Sequence, residues 1–356
     1  MEFDLNYTFK SKDIDSFLKA GALLTLPNGE YFLGLRPLGT ISDPEGETLF
    51  YAQKFFGELL EPFILYGQRA QIKKADLLKI LSTVDKVNEQ KDPTWTEPEK
   101  MEFLNTFELI LNEMDKGKLK IAVPIVFEHA KAKVTPQMKA NFLINLLNAD
   151  HGGYAFAHWD EDFGIIGLTP ELLFEKSGDE IRTVALAGTA KTENEFSEDQ
   201  KLKTEHNVVI EDILARLKSL GVAEVEKTAL QKFGSIYHLK TDLIFKKAKQ
   251  EATFDKLIAQ LHPTAALGVF PREFDWQWLR NLGGLRRRQF YGAPIGLRDA
   301  DGNGFAYVAI RSLQWDSTEM WISSGAGMLA DSDPEKEWEE LKLKRDLTKK
   351  ILGFSH

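Results

Sequence analysis

Apolar residues recur at steps of three and four along some stretches of this chain and alternate with polar residues along others, which separates helices from strands. The helical period predicts helices over Lys73–Val87, Lys100–Lys116, Thr135–Asn148 and Leu202–Leu217. It also predicts one long closing helix after Asp333-Pro334, a good N-cap and first-turn pair. Short apolar runs at Tyr31–Leu35, Leu49–Tyr51 and Lys120–Phe127 predict strands. Tyr154–Trp159 and Phe163–Leu168 flank Asp160-Glu161-Asp162, Leu172–Lys176 and Ile181–Leu186 flank Ser177-Gly178-Asp179-Glu180, and Phe305–Trp315 and Met320–Ser324 flank Asp316-Ser317-Thr318-Glu319. Each pair reads as a hairpin. Hairpins interrupted by long helices predict an α+β protein and not a regular βαβ winding. The polar, proline-containing Lys91-Asp92-Pro93-Thr94-Trp95-Thr96-Glu97-Pro98 reads as a connection or a helix entry.

Composition narrows the chemistry. With 356 residues, 43% of them hydrophobic, the chain can bury a large core. No apolar stretch is long enough to span a bilayer, and Met1-Glu2-Phe3-Asp4 lacks the basic and apolar regions of a secretory signal, so the expected location is cytoplasmic. The absence of cysteine excludes disulfides, thiolate metal sites and cysteine nucleophiles, leaving oxygen or imidazole for any metal. A net charge of -9 argues against a nucleic-acid or anionic-membrane surface. An anionic small molecule would need a local cationic pocket.

Gly325-Ala326-Gly327-Met328-Leu329-Ala330 superficially matches a dinucleotide-binding fingerprint. Its glycines do not open a helix directly, however, and no strand follows to complete a βαβ unit, so a nicotinamide reading is set aside. The helices say more. Glu337, Glu340, Lys344, Leu347 and Ile351 share one face of the closing helix, whose apolar stripe turns acidic toward its N-terminus. Glu205 continues the Val209, Ile213, Leu217 face of the preceding long helix in the same way. Alone, the closing helix reads as a solvated face, with Glu340 and Lys344 an ordinary i,i+4 pair, and a single acid such as Glu205 reads as a boundary residue. Two helices that each bring a carboxylate inward supply oxygen ligands for a hard cation, and magnesium suits them better than zinc.

Nine ordered motifs carry a resemblance: Thr169-Pro170-Glu171-Leu172-Leu173, Leu186-Ala187-Gly188-Thr189, Glu205-His206, His238-Leu239-Lys240-Thr241, Leu261-His262-Pro263-Thr264-Ala265, Tyr291-Gly292-Ala293-Pro294-Ile295-Gly296, Ala309-Ile310-Arg311-Ser312, Gly325-Ala326-Gly327 and Ser332-Asp333-Pro334-Glu335. From about Lys118 to Leu352 the chain resembles the chorismate-utilising enzymes, specifically the isochorismate synthase and salicylate synthase branch. The resemblance implies one large fold of two facing, mostly antiparallel sheets flanked by helices, with residues 1–112 its less family-like N-terminal part and 113–356 the chorismate-binding region. It implies Mg2+ held by Glu205 and Glu340 with Glu337 nearby, Lys120 as general base and Glu171 as general acid. Gly188, Thr189, His262, Tyr291, Arg311, Gly325 and Lys344 are its implied substrate contacts, His262 facing the ring.

The implied reaction isomerises chorismate to isochorismate, water adding at C2 and hydroxyl leaving C4. Lys120 must then be neutral and Glu171 protonated, which demands opposite pKa shifts. Arg311 is expected on a strand face shared with Tyr307, Ala309 and Leu313, where it needs an anionic partner. Lys118 lies close enough to Lys120 for the register to slip. Pro124-Ile125 replaces a Ser-Arg pair common in the family, and only Lys201 and Lys203 represent its basic run before Glu205-His206. Ala187 stands where the aminating aminodeoxychorismate type often carries lysine, so water is the expected nucleophile and no amidotransferase subunit is expected. Three readings stay open: isochorismate synthase for menaquinone or siderophore synthesis, salicylate synthase, and a catalytically dead chorismate-binding regulator.

Overall fold

Most of the strands form one antiparallel hydrogen-bonded path that curls on itself, so the two expected facing sheets are the halves of one sheet. The computed structural model describes residues 1–42, 46–84, 92–248, 252–282 and 285–354, with the side chains of 285 and 286 excepted. The first half runs Ala223–Val225, Ile236–Phe245, Glu180–Ala190, Leu172–Ser177, Gly304–Val308, Pro294–Arg298 and Leu49–Ala52. The second continues through Phe63–Ile72, Tyr31–Ile41, Gly21–Thr25, Tyr154–Trp159, Gly164–Thr169, Ser312–Trp315, Met320–Gly325 and Ile125–Ala130. Strands from the first hundred residues lie in the middle of this path, which makes the N-terminal part a component of the same sheet. Phe32, Phe50, Tyr66, Phe156 and Phe305 are among the rings buried in one core cluster of the sheet.

The expected hairpins form, with Trp159 opposite Gly164 and Ser177 opposite Glu180. Two expected strands differ. Lys120–Phe127 is interrupted at Val123-Pro124, because proline cannot donate to a ladder. Ile121–Ala122 instead pairs with Val269–Phe270 in a separate two-stranded ladder. Phe305–Trp315 is likewise two strands, broken at Ala309-Ile310-Arg311, where Arg311 adopts a φ of 54°.

Helices form where expected. Lys74–Leu81 is shorter than predicted, and residues 85–87 of the predicted span lie outside the described residues. Thr135 caps Pro136–Asn148, its hydroxyl accepting from the Met138 amide at 3.2 Å. Asp333 caps the closing helix Pro334–Leu352 by accepting from the amides of Glu335 and Lys336, and Gly353, at φ 86°, ends it. That helix is fastened to the sheet by buried charge. Arg345 donates to Glu128 at 3.2 Å and to the Ser324 hydroxyl at 3.0 Å, while Lys349 pairs with the other oxygen of Glu128. Among the described residues no helix is long and apolar enough to cross a membrane.

Candidate active site

Two chain segments cross side by side between the halves of the sheet. Gly164–Thr169 belongs to one half and Leu172–Ser177 to the other, with Pro170-Glu171 between them. Gly304–Val308 passes to Ser312–Trp315 in the same way through Ala309-Ile310-Arg311. The crossings are tied together: the Val308 amide donates to the Glu171 carbonyl at 3.1 Å, and the Leu168 amide to the Arg311 carbonyl at 3.3 Å. Gly167 lies so close to that carbonyl that an added Cβ would be 2.7 Å away. The backbone thus places a carboxyl and a guanidinium at one seam, where ladder pairing is interrupted.

A recess of about 50 Å³ lies at this seam, lined by Glu171, Ala187, Gly188, Thr189, Glu205, His238, Tyr291, Arg311, Gly325 and Lys344 among others. Arg311 is buried, and its Nε and Nη1 have no hydrogen-bond partner among the described residues. Leaving such donors unpaired is costly, so the site is built for an anion. Gly188, at φ 71°, is the bulged residue where the ladder shifts between Ala187 and Thr189. The bulge frees its carbonyl for the Nδ1 of His238 at 3.1 Å, which leaves Nε2 to accept from Arg311 Nη2 at 3.4 Å. Burial, then the charges of Arg311 and Lys344, hold the His238 pKa well below its ordinary value, keeping the ring neutral. Lys344 donates to the Gly325 carbonyl at 2.8 Å and pairs with Glu340 at 2.5 Å.

Glu171 is 4% exposed. Burial pushes its carboxyl up to about 8, with Thr264, Arg311 and Lys344 pulling the other way. It is therefore mostly protonated at neutral pH, as an acid for a leaving hydroxyl must be. Tyr291 is pushed up to about 12 by burial and stays neutral.

A larger outer cavity of about 630 Å³ adjoins the recess, with Thr189 lining both. Its size falls in the range of small-molecule sites, about 300–1,000 Å³. Glu337 and Glu340 line this outer cavity and Glu205 the inner recess. Burial and the neighbouring Glu340 charge raise the pKa of Glu205 and of Glu337. Glu340 is held low despite its burial by Lys344 and Lys201. Lys201 ion-pairs with Glu337. Gly327 packs against Glu205, an added Cβ lying 2.4 Å from its Oε1. No three His, Asp or Glu side chains among the described residues converge enough to enclose a metal alone. The donors nevertheless fit magnesium, which is held by one or two carboxylates and completed by water and substrate. Besides Lys201, the only side-chain donor close to the buried Glu337 carboxylate among the described residues is the Ser332 hydroxyl.

Two expected contacts are placed elsewhere. Lys120 is exposed and its ammonium lies 5.7 Å above the Phe270 ring, outside the recess. Strand alternation explains this, since the Ile121 and Val123 side chains face Gly327 and Gly325 and Lys120 therefore faces away. Lys118 is also outside, paired with Glu113 at 3.1 Å. His262, expected to face the ring, instead bonds the Phe55 carbonyl through Nε2 at 2.7 Å and packs edge-on against Phe55 and Trp276. The sequence reading assigned no role to His238, Thr264 or Lys201. His238 stood within a quoted motif, but its contact with Arg311 depends on the Gly188 bulge.

The sequence profile of the family described as "Chorismate binding enzyme" matches residues 64–353. The chain belongs to the chorismate-binding enzymes. Within that family it is 34% identical over 215 residues to isochorismate synthase MenF of Bacillus subtilis, covering 57% of this chain and 45% of that protein. It is 33% identical over 216 residues to the vibriobactin-specific isochorismate synthase of Vibrio cholerae, covering 56% and 53%. The matched part spans about half the length of these relatives. The solved structure of the menaquinone-specific isochorismate synthase MenF from Escherichia coli superposes with a TM-score of 0.74 at 20% identity, covering 99% of this chain and 93% of that one. That likeness establishes a common fold for this chorismate-binding enzyme.

Proposed function

We propose that this protein is a cytoplasmic, magnesium-dependent isochorismate synthase that supplies menaquinone synthesis without an amidotransferase subunit. The observation that carries the reading is Glu171, an acid kept protonated by burial at the seam where the Nε and Nη1 of Arg311, unpartnered among the described residues, await an anion. Arg311 and Lys344 take the carboxylates of chorismate, with neutral His238 holding one guanidinium nitrogen in place. Glu205 and Glu340, with Glu337 beside them, would hold magnesium, which when bound neutralises the ring carboxylate.

Water forms a bond to C2 and gives a proton to the base, the ring double bonds shift, and the C4 hydroxyl leaves as water with the Glu171 proton. The proposed base is Lys120, which faces away from the recess in this structure and reaches it only if the backbone before Ile121 turns as well as the side chain. Ala187 lines the recess where the aminating type often carries lysine, which favours water over ammonia. The test is turnover in water enriched in heavy oxygen. One labelled oxygen should appear at the C2 hydroxyl of isochorismate. Unlabelled isochorismate would exclude addition of solvent water.

A further inference from the structure

The helices Gln200–Leu217 and Pro334–Leu352 meet across the acidic wall of the site, and an ammonium group bridges them. Lys201 ion-pairs with Glu337 and also faces Glu205 and Glu340. Resting on the magnesium reading above, we propose that Lys201 is a built-in counter-cation that competes with the divalent ion for these carboxylates and is displaced into the outer cavity when the ion binds.

Three observations support it. Lys201 lines the 630 Å³ cavity and its side chain is 17% exposed, whereas that of Glu337 is 2% exposed, so the ammonium sits at the open side of the pair. Lys201 takes one oxygen of Glu337, whose carboxylate otherwise has only the Ser332 hydroxyl as a side-chain donor close to it among the described residues, a set that one ammonium does not saturate. Lys344 pairs similarly with Glu340 but is also tied to the Gly325 carbonyl and faces the inner recess. The Lys201 ammonium has no second hydrogen bond among the described residues, so it is the freer of the two to move. An ammonium and a divalent cation on one carboxylate repel each other strongly in a partly buried site, so the two occupancies exclude each other.

The test needs no chorismate. Metal-free full-length protein is titrated calorimetrically with MgCl2 alone. Lys201→Met should bind magnesium about tenfold or more tightly than the parent, since close charge pairs couple at that level or above. Lys203→Met removes the same charge from an exposed position on the same helix and should match the parent, and Lys201→Arg should bind no more tightly. In the unmodified parent, acetylation of Lys201 by acetic anhydride, read by peptide mass spectrometry, should rise on adding MgCl2. Equal affinity in Lys201→Met and parent would overturn the proposal and leave the metal site standing. No magnesium binding by either would bring down both. If Lys201→Met does not fold, the acetylation decides, and labelling unaffected by magnesium overturns the proposal.

Discussion

Replacing Glu171 by glutamine keeps its shape and removes its proton. At pH 7 a carboxyl with a pKa of about 8 is protonated about nine times in ten, and at its ordinary 4.5 it would be protonated about three times in a thousand. Burial thus raises the population of competent acid about 300-fold. Glu171→Gln should lower turnover of chorismate about 10²- to 10⁴-fold with a smaller change in KM, because the lost proton acts only in the transition state.

The pH profile carries the sharper signature. Parent turnover should fall about tenfold per pH step above about 8 as Glu171 ionises, and the residual activity of the variant should lack that limb. Stability should move with it. A folded pKa above the unfolded value means stability fully present below about 4.5 and lost as pH rises to about 8, by about 5 kcal/mol. Denaturant unfolding from pH 5 to pH 9 should show this decline in the parent and much less of it in the variant. An alkaline limb near 8 that persists unchanged in Glu171→Gln would refute the assignment of the acid.

Other positions give independent tests. Gly327→Ala puts a methyl 2.4 Å from Glu205 Oε1, so the fold should survive while magnesium affinity and turnover both fall, and parental affinity by calorimetry would contradict the close packing. Lys120→Ala should cost about 10²- to 10⁴-fold in turnover and Lys118→Ala very little. The reverse result would move the base by two residues, and parental rates in both would remove lysine from the chemistry. Glu128→Gln leaves Arg345 and Lys349 without their buried carboxylate and should cost about 3–5 kcal/mol in denaturant unfolding, whereas a loss below about 1 kcal/mol would deny the network its anchoring role.

Much of the architecture was legible in the chain because it rests on local signals. Period, caps such as Thr135 and Asp333, and turn residues such as Ser177-Gly178 act within a few positions and survive folding unchanged. The two misread strands failed for different reasons. Pro124 stands in the sequence, and its missing N–H outweighs the apolar run around it. The break at Arg311 has no local marker, since Ala309 and Ile310 suit a strand and the positive φ is imposed by the crossing between the halves of the sheet.

The ordered motifs contain most of the residues that line the recess, Lys344 excepted among the charged ones, but do not give their orientation. Lys120 faces away from Gly327 because alternation from Ile121 fixes its side. His262 is turned to the Phe55 carbonyl, a partner more than two hundred residues distant. The carboxylates of Glu205, Glu337 and Glu340 were visible as acids on apolar helix faces, whereas the Lys201 bridge appears only when the two helices are packed.

Chorismate incubated with the full-length protein and magnesium, with the products separated by chromatography, tests the proposed function most directly. Isochorismate should accumulate to equilibrium with chorismate, and should convert back when supplied alone. Turnover should vanish when magnesium is chelated. Salicylate with pyruvate as the main product would move the protein to the lyase branch, and unchanged chorismate would leave a chorismate-binding protein without the isomerase activity.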